Sequence, residues 1–63
     1  MVSKNVFVLV HSNPDYVDVE VYEKEEDAIQ ALVELADEYD MEVNGNEAQG
    51  DEDHATVEEK ILF

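Results

Sequence analysis

The sequence predicts an α+β domain of ββαβ order: a three-stranded antiparallel sheet, strand order 2-1-3, with one helix packed on one face. Two β-branched apolar runs flank a proline turn, a stretch of helical period follows, and a last apolar run closes the chain. The 63 residues leave room for a single small domain, 1–63, with a thin core.

Each element has its own reason. Lys4 to His11 reads K-N-V-F-V-L-V-H, a short and nearly continuous apolar run that suits a strand buried on both faces. Ser12-Asn13-Pro14-Asp15 follows as a turn, since Pro14 presets φ at the second turn position. Tyr16 to Tyr22 then alternates. Val17, Val19 and Val21 fall on one face and Tyr16, Asp18, Glu20 and Tyr22 on the other, which describes a half-buried strand pairing back as a hairpin.

From Glu23 to Asp40 the period changes. Ala28, Leu32, Leu35, Ala36 and Tyr39 recur at three- and four-residue spacing among acids, as an amphipathic helix requires. Glu25, Glu26 and Asp27 sit where the positive end of the helix dipole favours carboxylates; Asp37, Glu38 and Asp40 sit where it does not. Met41 to Asp53 is a polar connection, with a short hairpin expected about Val43-Asn44-Gly45-Asn46. Ala55 to Phe63 supplies the third strand. A crossover from the second strand over the helix would lay it beside the first. One sheet face is then left without a cover. It is expected to carry part of the first strand's apolar set with Tyr16, Asp18, Glu20 and Tyr22 as a partner surface, and a homodimer through that face follows.

Charge narrows the function classes. Eighteen Asp and Glu stand against three Lys, without Arg, for a formal net charge of -15. Such a chain should be repelled by nucleic acid and by anionic lipid, so no direct nucleic-acid or membrane contact is expected. Self-repulsion reaches across the molecule in dilute buffer, where the Debye length is about 30 Å, and fades in molar salt, where it is about 3 Å. Hydrated monovalent cations are the expected company of these carboxylates. With no cysteine, disulfides and thiolate chemistry are excluded, and the opening residues lack the pattern of a secretory leader, so a cytoplasmic setting is expected.

Little in the chain suggests catalysis. Ser3, Ser12 and Thr56 are the hydroxyl nucleophiles besides tyrosine, and neither a nucleophile elbow nor a glycine-rich phosphate loop surrounds them. No enzyme activity and no cofactor are expected. In the predicted topology His11 and His54 approach at one sheet end, with Asp15 and Asp53 near, a donor set suited to a transition metal. Ordinary strand-end histidines are the plainer expectation, and no metal is expected. The acidic 44–53 segment lacks the ligand spacing of a calcium loop.

Two readings of the charge stay open. One is adaptation to concentrated salt; the other is an acidic mimic of nucleic acid that occupies a basic nucleic-acid-binding partner. Residues 22–42 hold nine of the eighteen acids, which gives mimicry a surface. Scarce lysine and a core of ten Val and five Ala against two Ile and two Phe favour the solvent reading. In that Lys-poor, Asp/Glu-rich, Val/Ala-rich composition the chain resembles small acidic proteins of haloarchaea and their tailed viruses. The resemblance implies life in a salt-rich cytoplasm, the host's if viral, and assigns no functional residue. The expectation is a salt-adapted, non-catalytic interaction module.

Overall fold

A computed structural model describes residues 4–62, with Leu62 described in its backbone only. Six elements follow one another: β1 (Lys4–Ser12), β2 (Val17–Tyr22), α1 (Glu25–Glu38), β3 (Glu42–Asn44), β4 (Glu47–Gln49) and β5 (His54–Leu62). The class is α+β, as the sequence implies. The sheet, however, has five antiparallel strands in the order β2-β1-β5-β4-β3, so the three-stranded expectation is corrected. Its 2-1-3 core survives as β2-β1-β5. Phe63, the expected end of the last strand, lies outside the described residues.

The two added strands come from the segment read as a connection. They are three residues each and mostly exposed, too short for an apolar period to announce them. Their hairpin turns on Gly45 and Asn46, one residue later than the Asn44-Gly45 pair expected, with Asn44 paired to Glu47. Gly45 takes the left-handed conformation at φ 66°, which glycine adopts without a Cβ clash. The shift has a tertiary cause. Asn46 is tied to β5 twice: its Nδ2 donates to the Val57 carbonyl at 2.8 Å, and its own carbonyl accepts from the Val57 N–H at 2.8 Å.

The helix begins after Lys24, which makes no side-chain cap; Glu25, Glu26 and Asp27 in the first turn complement the dipole instead. Its end is closed by Asp40 at φ 55° and a Met41 N–H to Ala36 carbonyl bond of 2.7 Å, the wide bond of a Schellman motif. That closure turns Met41 back into the core.

Leu9, Ala28, Leu32, Ala36, Met41, Ala48, Ala55 and Val57 form that core, between α1 and the β1-β5-β4 part of the sheet. Leu32 is the only large side chain in the described part that is wholly enclosed. Alanines at 28, 36, 48 and 55 let helix and sheet approach closely, so the core is dense but small.

Candidate functional site

Register decides which residues face which side, because directly paired residues share a face. Phe7 pairs with Tyr22, Leu9 with Glu20 and Val57, and His11 with Asp18 and Ala55; these make the helix-covered side. The open side carries Val6, Val8, Val10 and Ser12 of β1, with Val8 against Val21, Val10 against Val19 and Ser12 against Val17. The expected partner surface is therefore corrected: Asp18, Glu20 and Tyr22 lie on the helix side, Tyr16 packs there against His11, and the open side of β2 is its three valines. They are 65%, 54% and 62% exposed at positions 17, 19 and 21. Val8 and Val10 beside them are half-buried, and Val6 is buried outside the helix-side core.

The cause lies in the β1–β2 turn. Asn13 Oδ1 accepts from the backbone N–H groups of Asp15 and Tyr16, both at 2.9 Å, while the Asn13 N–H donates to the Tyr16 carbonyl at 3.0 Å. This side-chain-mimicked turn places Val17 opposite Ser12. A slip of one residue would have sent the valines to the helix. Strict alternation told that one face of β2 was apolar; nothing local told which face met the helix.

Open and covered sides differ in charge as well. From Val6 to Ser12 and at 17, 19 and 21, the open side has no ionisable group. Lys4 and Lys60 border it, paired with Glu23 at 2.6 Å and Glu58 at 3.4 Å. The Lys4 ammonium holds the Glu23 carboxyl below its usual range, mainly through their hydrogen bond. Further across the same side, β4 and β3 present Glu47 and Glu42, and an open concavity runs there among Asp40, Glu42, Glu47 and Asp51.

Between β2 and α1 on the covered side lies a cleft of about 210 Å³. Leu9, Ala31, Leu35 and the Tyr22 ring form its apolar walls, and Asp18, Glu20, Glu34 and Glu38 are its carboxylates. The Tyr22 hydroxyl donates to Glu20, and that bond, helped by burial and by the charge of Glu20, pushes the phenol up to about 12.

At the cleft's end sits His11, 4% exposed and the one buried ionisable side chain in the described part. Its Nε2 lies 3.0 Å from Asp53 Oδ1, which also accepts from Asn13 Nδ2 at 3.2 Å. Tyr16 meets the imidazole edge-on at a ring separation of 5.7 Å, and Tyr39 lies at 4.9 Å, tilted by 50°. The two tyrosine hydroxyls are 3.3 Å apart, and their hydrogen bond is the main cause that pushes Tyr39 up to about 12. Asp53 is expected near His11 from the sequence; Asn13, Tyr16 and Tyr39 are not, because the cluster's members come from β1, the first turn, the helix end and the loop before β5.

The expected pairing of His11 with His54 fails. His54 pairs with Ser12 and so stands on the open side, exposed, with the sheet between the two rings. Asp15 is exposed in the turn, where its N–H bonds Asn13, and of the three other candidates Asp53 alone reaches His11. Among the described residues no group of three or more His, Asp or Glu is placed to hold a metal ion, and no helix is long and apolar enough to cross a membrane.

No family model matches this chain, and neither a curated protein nor a solved structure matches it.

Proposed function

We propose that this chain is a non-catalytic interaction module built for concentrated salt, and that the open side of β1 and β2 is its working surface. One observation carries the proposal: on a chain of net charge -15, the six paired open-face residues of β1 and β2 are five valines and a serine. A surface made only to stay hydrated would place its carboxylates there. β2 owns two, Asp18 and Glu20, and turns both the other way. An uncharged apolar patch with a polar border is how a docking surface is built.

Two measurements test the two halves of this reading. Circular dichroism from about 0.05 to 3 M KCl should show weak structure at the low end and cooperative folding as screening sets in; full structure throughout would remove salt adaptation. Replacing Val17, Val19 and Val21 together by Thr should leave the folded state intact in high salt. Loss of folding would mean that the valines serve the monomer's own stability and not a partner.

A second reading has its own observation. The cleft with Asp18, Glu20, Glu34 and Glu38 around apolar walls suits a basic side chain of a nucleic-acid-binding protein, the acidic-mimic alternative. Displacement of DNA from such a protein at low salt, abolished by Glu34→Gln with Glu38→Gln, would favour it over the valine face.

A further inference from the structure

We infer that the partner of the valine face is a second copy of this chain, stacked face to face over β1 and β2 and not joined through the free edge of β2. The inference rests on reading the open side as a working surface, and charge selects the occupant. Two molecules of charge -15 repel over nearly every approach, because carboxylates cover α1, the loops and the β3–β4 half of the sheet. The β1–β2 open side is the exception. Among the described residues its β1 and β2 positions carry no carboxylate, and the Glu58 that β5 sets beside Val8 on this side is paired with Lys60, as Glu23 is with Lys4. A basic protein would be drawn to the acidic surfaces and would gain nothing from this one. An uncharged valine surface is matched by another of the same kind, and the copy supplies it.

Charge also sets the arrangement. Pairing two β2 strands edge to edge about a two-fold axis would bring Asp18 and Glu20 of each copy against those of the other, and like charges opposed across strands destabilise the pair. Stacking the sheets in full overlap would lay Glu42 and Glu47 on their own copies. A two-fold axis parallel to the strands, between β1 and β2, avoids both conflicts. It sets β2 of one protomer over β1 of its partner and sends the acidic β3–β4 halves to opposite sides.

The footprint is modest. Six paired residues over two strands cover about 20 Å by about 10 Å, at the small end of specific interfaces, so a weak dimer is expected, with Kd of roughly 0.1–1 mM. It should appear only where salt has removed the repulsion.

Sedimentation equilibrium from about 10 μM to about 2 mM protein in 3 M KCl reads the association directly. The wild-type chain should pass from monomer to dimer, and Val19→Glu should stay monomeric with an unchanged circular dichroism spectrum. Single cysteines read the geometry cleanly, because the chain has none of its own. A short bismaleimide should join Val19→Cys protomers several-fold faster than Glu20→Cys or Glu47→Cys. Equal joining at positions 19 and 20 would mean edge pairing and would overturn the stacked dimer. A folded wild-type chain that stays monomeric throughout would overturn the second copy, while leaving the valine face to a different partner. Unfolding of the triple-threonine chain would overturn the working-surface reading itself.

Discussion

On β2 the even-numbered residues Asp18, Glu20 and Tyr22 look toward the helix, and the odd-numbered Val17, Val19 and Val21 look away from it. On β5, two places along the sheet, the order is the usual one: Ala55 and Val57 are buried under the helix while Glu58 and Lys60 are exposed. The difference follows from where the helix lies. Its alanines and Leu32 sit over β1, β5 and β4, leaving β2 at the flank. A valine turned inward there would end in the cleft, too short to reach the helix. Tyr22 is long enough to pack its ring against the core while its hydroxyl reaches Glu20. Hydrophobic pattern sets the alternation of a strand; the position of the covering layer decides what each side is worth.

The sharpest way to break this comparison is to exchange burial for exposure. Leu32→Ala empties the one fully enclosed large side chain among the described residues and should cost about 2–5 kcal/mol. At about 0.05–0.15 kcal/mol per residue the whole domain has only roughly 3–9 kcal/mol, so cooperative unfolding in high salt should be lost or moved far down in urea. Val19→Thr, by contrast, should stay within about 0.5 kcal/mol at protein concentrations where the chain is monomeric. If the two variants lost comparable stability, the open valines would be part of the fold and the comparison would fall.

Next in size is the turn that fixes the register. Asn13→Ala removes the acceptor of two backbone N–H groups and a donor to Asp53, and should cost about 1–2 kcal/mol by urea denaturation. Asn13→Asp keeps the acceptor but sets a second carboxylate beside Asp53, so it should recover only part of the loss, and more of it in high salt. A loss below about 0.3 kcal/mol for Asn13→Ala would mean that something other than this turn holds Val17 opposite Ser12.

These particulars also explain what the sequence made legible. The three longer strands, the helix and the β2-β1-β5 order could be read because each element carries a period or a turn residue of its own. β3 and β4 could not: Glu42–Asn44 and Glu47–Gln49 hold only Val43 and Ala48 as apolar residues, and what fastens them is Asn46 on the Val57 backbone, a contact eleven residues away. His11 and Asp53 could be placed together from the sequence, but His54 and Asp15, expected beside them, lie elsewhere. The pleat puts the two imidazoles on opposite sides, so Asp53, one residue earlier, is the residue that reaches His11.

The smallest effect tests the covered side of β2 alone. Tyr22 donates to Glu20, and its phenol is raised to about 12 from an unfolded value of 10.0. A group whose folded value is raised adds its stability fully below the unfolded value, so this bond should be whole below about pH 10 and lost as pH climbs toward about 12. Phenolate absorbance of the wild-type chain minus that of Tyr22→Phe isolates this one residue. In high salt the difference curve should have its midpoint near 12. Adding urea should return it to about 10, and Glu20→Gln should move it down by removing the charge while keeping an acceptor. A difference curve already centred at about 10 in the folded protein would mean that Tyr22 and Glu20 do not pair. The helix side of β2 would then be merely solvated, and the reason for turning three valines outward would have to be sought on the open side alone.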